Sequence, residues 1–267
     1  MNFSPLSLNF VGNLSPRNLL NNSKTNAIGN TIAIIAPHAG YLYSGDVAAL
    51  AYNSIPNKKY TNVFILSTSH TSAFAYGSLI DDEEYKTPYG ALKLNQNICA
   101  NLVKDNIFHY SPSYFYNDHT IEVQLPFIKM AVQHDYIVPI MIGDDNIEHI
   151  RAMSTELEPY FTDDNLFIIS SDFAHYPNYW DAKIIDDETK ELIFKRSSSA
   201  FIAGIHNLNK PNVVTRMCGW SAYLTALLIM EKQKYLSINI LRYKNSGDLP
   251  VANPHKTVGY FAINFSK

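Results

Sequence analysis

The chain has 267 residues, of which 46% are hydrophobic and 17% charged, with a formal net charge of −3. That length suits one large α/β domain with its own core, so folding needs neither a disulfide framework nor a structural metal. The near-neutral balance lacks the basic face of a nucleic-acid binder, and no run of about 18 apolar residues is present to cross a membrane.

Residues 1–30 are rich in Asn, Ser and Pro. They predict an irregular lead-in with no basic, then apolar, signal sequence. An α/β domain over 31–267 follows. Its first strand is expected at Thr31 to Ala36, a short β-branched apolar run. Similar runs at Asn62 to Ser67, Tyr136 to Ile142 and Leu166 to Ser170 lack alternation, as strands buried on both faces do. Pro139 moves the third of these towards an edge or a bulge. Two more strands are expected at Ser237 to Leu241 and Val258 to Phe265. Helices are predicted between them at Asp46 to Asn53, Asn95 to Val103 and Ile121 to Val132, the last restarted or bent by Pro126. Further helices are predicted at Asn146 to Tyr160, Asp186 to Ile205 and Trp220 to Lys234. Asp186-Asp187-Glu188 reads as a solvated, acid-rich helix start. This alternation gives an α/β class: a central mixed, largely parallel sheet flanked by helices.

Open α/β sheets bind ligands beyond the carboxyl ends of their strands. Three such ends carry His38, His70, and Asp172 with His175. A histidine after a strand is more often a capping group than a ligand, but three at one sheet edge converge if their strands are neighbours. Cys218 directly precedes the helix from Trp220, where free N–H groups and the helix dipole favour a thiolate able to bind metal or act as a nucleophile. Cys99, mid-helix, reads as a small buried hydrophobe. Two distant cysteines make no disulfide scaffold and fit a reducing, cytoplasmic compartment. His119 and Glu122 share a helix face at i, i+3 after a capping Asp118, suited either to acid–base work or to plain capping. Neither a phosphate-binding glycine loop nor a serine nucleophile elbow is present.

The stretches Ala36-Pro37-His38-Ala39-Gly40-Tyr41, Ser69-His70, Asp118-His119-Thr120-Ile121-Glu122-Val123-Gln124-Leu125-Pro126-Phe127, Ser170-Ser171-Asp172-Phe173-Ala174-His175-Tyr176 and Cys218-Gly219 run in one order along the chain. Tyr243-Lys244-Asn245-Ser246-Gly247-Asp248 and Val258-Gly259-Tyr260 complete the set. Together they resemble the Memo family, the B component of the AmmeMemoRadiSam group. The resemblance implies a fold similar to class III extradiol non-haem iron dioxygenases, with a Cys where those enzymes use a carboxylate ligand. It implies His38, His70 and Cys218 as metal ligands, with Asp172 and His175 bordering the same pocket and His119 and Glu122 in a further family motif. Two departures stand out. Asn9 to Asn13 only faintly echoes the Gly/His- and aromatic-containing segment of many relatives, and Thr71 stands where many carry a second histidine.

Three functions follow as expectations. The first is a redox-active, dioxygenase-like protein holding one iron or copper ion, or zinc, on two His and one Cys; soft thiolate beside imidazole disfavours Mg or Ca. Ring opening of catechols is not implied. The second is a metal-free Cys–His enzyme. The third is a module whose pocket takes a small molecule or peptide, and the resemblance adds a radical-SAM protein as partner. In the first reading Asp172, His175 and Tyr41 face the open position, so replacing Asp172 or His175 is expected to spare folding stability.

Overall fold

The computed structural model describes residues 14–250 and 253–267. Asn9 to Asn13, the departure noted above, lies outside them. The part of the lead-in that is described contains a helix, α1 (Pro16–Asn22), rather than irregular chain. Ser15 Oγ accepts the Asn18 N–H at 3.3 Å, Pro16 occupies the first turn and Leu19 is buried. A capping serine followed by proline is a helix start, and the surrounding Asn-rich composition masks it.

The sheet is built from β1 (Thr31–Ala36), β2 (Lys59–Thr68), β3 (Gly77–Leu79), β6 (Phe108–Tyr110), β7 (Gln133–Ile142), β8 (Asn165–Ser170), β9 (Ser237–Asn245) and β10 (Gly259–Ser266), with a separate hairpin of β4 (Glu84–Thr87) and β5 (Gly90–Lys93). Its order is β6-β3-β7-β2-β8-β1-β10-β9. The four central strands, β7, β2, β8 and β1, are mutually parallel. Antiparallel β10 and β9 extend one side, and β3 meets β7 antiparallel on the other. Pro139 lies in a ten-residue strand flanked on both sides, yet β3 pairs only with Met141 and Ile142. At Pro139 that side of β7 has no ladder to lose, so a residue without an N–H is tolerated.

Successive residues of the buried strands feed opposite faces. Ile32, Ile35, Phe64 and Phe167 join one apolar cluster, and Ile34, Val63, Ile65 and Ile168 join the other. The first cluster is covered by α3 (Gln96–Leu102), α7 (Ile147–Leu157), α9 (Ser198–Ile205) and α10 (Trp220–Met230). The second lies under α1, α2 (Tyr41–Asn53), α4 (Ser113–Tyr116), α5 (His119–Glu122) and α6 (Leu125–Ala131). Pro126 opens α6, so the apolar stretch from Ile121 restarts rather than continues. The helix expected over Asp186 to Ile205 is two: α8 (Tyr179–Phe194) and α9, separated where Arg196 takes a left-handed φ of 49°. Asn178, accepting the N–H groups of Trp180 and Asp181, starts α8 well before Asp186. Asp186 is therefore a fully buried mid-helix residue, not a solvated start. Among the described residues no helix is long and apolar enough to cross a membrane.

Candidate metal centre

In the sheet order β8 lies between β2 and β1. The carboxyl ends of three adjacent parallel strands therefore deliver His38, His70 and Asp172 to one crevice, as open sheets do. One ligand-type atom from each of His38, His70 and Cys218 lies within 4.8 Å of the others. Cys218 Sγ is 3.1 Å from His38 Nε2, and the His38 and His70 rings meet edge to face with centroids 5.0 Å apart.

Each group is held by its own hydrogen bonds. The Asp172 carboxylate Oδ1 accepts the main-chain N–H groups of His38 and Ala39 at 2.8 and 3.3 Å. Asp118 does the same for His70 at 2.7 Å, while also accepting the Thr120 N–H that opens α5. His70 Nδ1 lies 2.9 Å from the Thr68 carbonyl, and His175 Nδ1 lies 2.8 Å from that of Phe173. A carbonyl only accepts, so Nδ1 carries a proton in both rings, and in the neutral form of either ring Nε2 carries the lone pair. Cys218 donates its N–H to the Asp172 carbonyl at 3.2 Å, and its Sγ receives the Asp172 N–H at 3.2 Å. The next residue permits this approach: a Cβ on Gly219 would sit 2.7 Å from both Ser170 O and Ser171 Cβ.

The crevice opens into a cavity of about 590 Å³ lined on one side by His38, His70, His119, Asp172 and His175. Tyr43, Tyr176, Tyr260 and Lys256 are also in its wall, with Lys256 Nζ 4.2 Å over the Tyr176 ring. A larger cleft of about 830 Å³ gathers Arg17, Lys24 and Lys129 but no histidine, cysteine or acid, so it offers no ligand set.

Sequence reasoning thus places His38, His70, Cys218, Asp172, His175 and His119 together. It fails for Glu122, which is buried outside the cavity wall, on the side of Tyr41 and Tyr85. Four residues of α5 make barely one turn, and only its first residue reaches the crevice. Tyr41 also points elsewhere, its hydroxyl donating to the Val123 carbonyl at 2.8 Å. Tyr43, two positions on, lines the cavity instead. Lys256 carries no signal in the sequence, because only the folded chain brings it into the wall that the histidines share.

The electrostatics reverse one expectation. Burial, then the His70, His119 and His175 rings, push the His38 imidazole well below its usual range. Burial, then the Asp172 carboxylate, push the Cys218 thiol up, which outweighs any gain from the start of α10. Burial likewise lowers His119 against the pull of Asp118, and raises the Asp172 carboxyl against the charge of His175 and the N–H groups it accepts. Without a cation this is a neutral imidazole beside a neutral thiol. Cys99 fits the plain reading: it is buried in α3, its thiol pushed up to about 12 by burial.

Known proteins resemble this chain over most of its length. The family described as Memo-like protein matches residues 10–264. A MEMO1 family protein of Saccharolobus solfataricus is 30% identical over 265 residues, covering 96% of this chain and 90% of the relative. Another, from Desulfurococcus amylolyticus, is 32% identical over 244 residues, covering 88% and 83%. The crystal structure of an uncharacterized Escherichia coli protein superposes with a TM-score of 0.55 at 12% identity, covering 88% of this chain and 99% of that one, which shows a shared fold. The ordered motifs, the sheet that gathers them and a family match spanning nearly the whole chain have one meaning: the chain belongs to the Memo family.

Proposed function

We propose that His38, His70 and Cys218 hold one iron or copper ion, zinc being the redox-silent alternative, with an open position facing the cavity. The observation that carries this is the convergence of three ligand atoms within 4.8 Å of one another. In a tetrahedral site with metal–N and metal–S bonds of about 2.0–2.3 Å, ligand atoms stand about 3.3–3.8 Å apart. Small side-chain movements close that gap, and His38 with Cys218 is already nearer at 3.1 Å. The donor chemistry fits as well. A cation offsets the burial that holds Cys218 protonated, because a coordinating thiol is deprotonated outright. Two imidazoles and one thiolate suit Fe, Cu(I) or Zn.

Such an ion supplies redox or Lewis-acid chemistry at its open position. The surrounding residues handle protons and orient the occupant. With its Nδ1 proton committed to Phe173, His175 offers Nε2 as the atom that takes a proton. His119 stays neutral for the same duty. Lys256, on the cavity wall, attracts an anionic group on the occupant, which we take to be a small molecule or a short peptide segment. A radical-SAM partner follows from the resemblance in sequence motifs, and the unbridged Cys99 and Cys218 support a reducing, cytoplasmic setting.

The metal-free Cys–His reading needs thiolate and imidazolium, the opposite of what burial imposes on Cys218 and His38. Cys218 in metal-free protein should therefore alkylate more slowly than a model thiol at pH 7.5; rapid, pH-dependent alkylation would restore that reading. The metal reading is tested by elemental analysis of untagged protein reconstituted anaerobically with Fe(II), Cu(I) or Zn(II). About one ion per chain is expected, with uptake falling sharply in His38→Ala, His70→Ala and Cys218→Ala. Equal uptake by all three variants and the parent would end it.

A further inference from the structure

His38 differs from His70 and His175 in one respect: its Nδ1 faces a hydroxyl, Ser170 Oγ, at 3.1 Å. A hydroxyl can donate or accept, so this contact alone leaves the tautomer open. The buried surroundings close it. Ser170 Oγ has a single hydrogen, and it points at the Thr120 carbonyl oxygen 2.6 Å away, which can only accept. The same Oγ lies 2.9 Å from Gln124 Nε2. The Gln124 amide cannot be turned around. Its nitrogen end faces the Pro37 and Ala36 carbonyls at 3.0 and 3.3 Å, and its oxygen end receives the Tyr52 hydroxyl at 2.8 Å. Gln124 therefore gives one hydrogen to the carbonyls of the segment leading to His38 and the other to Ser170. With its hydrogen spent on Thr120 and one lone pair taken by Gln124, Ser170 Oγ has one lone pair left. Only a donor can fill it, so His38 Nδ1 carries the proton. Ser170, Thr120 and Gln124 are each fully buried, which leaves no solvent to substitute for any of these bonds.

We propose that Gln124 and Ser170, anchored on the Thr120 carbonyl, are positioning residues that lock His38 in its Nδ1–H tautomer and hold its Nε2 lone pair towards Cys218 and the cavity. Both residues lie in the motif-bearing stretches of the sequence, yet neither touches the cavity. They act through His38. The relay ties the end of β8, the turn before α6 and the chain leaving β1 to a single imidazole. Its purpose rests on the metal reading above. The tautomer itself is a property of the metal-free protein.

The test is long-range ¹H–¹⁵N NMR of metal-free, histidine-labelled protein, with His38 assigned by the signal missing from His38→Gln, alongside cobalt(II) titration. The parent should show His38 protonated at Nδ1. Ser170→Ala should give a mixed or Nε2-protonated ring and bind cobalt(II) ~10–100-fold more weakly, the usual cost of losing a group that orients a metal ligand. Tyr52→Phe removes a buried hydrogen bond from the same cluster while the carbonyls still orient Gln124. It should lower the melting temperature and leave both the tautomer and the cobalt affinity in place. An Nε2-protonated His38 in the parent overturns the proposal. So does an unchanged tautomer in Ser170→Ala, or an equal loss of cobalt affinity in Tyr52→Phe. A parent with the expected tautomer that binds no cobalt defeats the metal reading and leaves the relay standing.

Discussion

Asp172 is where the residue-level chemistry is most concentrated. Its position after a buried strand marks it as a pocket residue in the sequence, and it does line the cavity. Its second role is invisible there: it is only 3% exposed and its carboxylate holds the His38 and Ala39 N–H groups. Sparing of stability on its replacement, expected for a solvent-reaching group, gives way to a different outcome. Asp172→Ala leaves two main-chain donors without their acceptor, at roughly 1–3 kcal/mol for each such group. Urea denaturation should show a clearly lowered midpoint, and Asp172→Asn, which keeps one acceptor oxygen, a smaller drop. An unchanged midpoint in Asp172→Ala would mean that the clamp contributes nothing. Gly219 makes the complementary case. Because a Cβ there would press on Ser170 O and Ser171 Cβ at 2.7 Å, Gly219→Ala should push Cys218 away from His38 and abolish metal uptake. Stoichiometric uptake by that variant would show that the loop yields without cost.

At the scale of elements, α8 is joined to β9 and to the loop after β8 through one buried carboxyl, over which β10 passes closely. Asp186 Oδ1 accepts the Ala174 N–H at 2.8 Å and Oδ2 accepts the Tyr243 hydroxyl at 2.8 Å. A Cβ on Gly259 would lie 1.9 Å from Oδ2, so the opening of β10 must be glycine for the strand to pass. Burial raises this carboxyl to about 7, against the pull of the Ala174 N–H and Tyr243. An unfolded Asp titrates near about 3.9. The folded state therefore binds this proton more tightly. The contribution is fully present below about pH 4 and is lost as pH rises through 7, a swing of about 4 kcal/mol at most. Asp186→Asn, which imitates the protonated acid, should flatten the dependence. The difference in melting temperature between parent and variant should turn against the parent from pH 5 to pH 8. Parallel curves across that range would contradict the buried-acid assignment. The sequence reads this residue as solvated because three acids in a row resemble a helix start; the actual start, Asn178, lies eight residues earlier, and only packing against β10 reveals the burial.

For the whole molecule, the legible parts are those where local pattern and tertiary role coincide. Thr31–Ala36 and Asn165–Ser170 are buried on both faces, so each reads as an unbroken apolar run with its breakers outside. Their carboxyl ends point to the site without further information. Gly77–Leu79 and Phe108–Tyr110 are invisible in the sequence because three residues acquire strand geometry only by pairing with each other and with β7. Glu122 misleads because spacing from His119 says nothing of what the rest of the fold packs against it, and it is buried beside Tyr41 and Tyr85 rather than in the cavity wall. His38 is legible as a candidate ligand, but its tautomer depends on Gln124 and Ser170, which lie 86 and 132 positions away in the chain. The fold and the identity of the cluster thus follow from pattern, whereas its protonation and its clamps need the assembled sheet.

X-ray absorption at the metal edge of the reconstituted protein is the decisive measurement for a His38–His70–Cys218 centre, because it reads ligand type and distance together. One sulfur neighbour is expected at about 2.3 Å, with nitrogen neighbours at about 2.0–2.1 Å. The sulfur contribution should vanish in Cys218→Ser and persist in Cys99→Ala. A bound metal whose spectrum contains only nitrogen and oxygen neighbours in the parent protein would rule out Cys218 as a ligand.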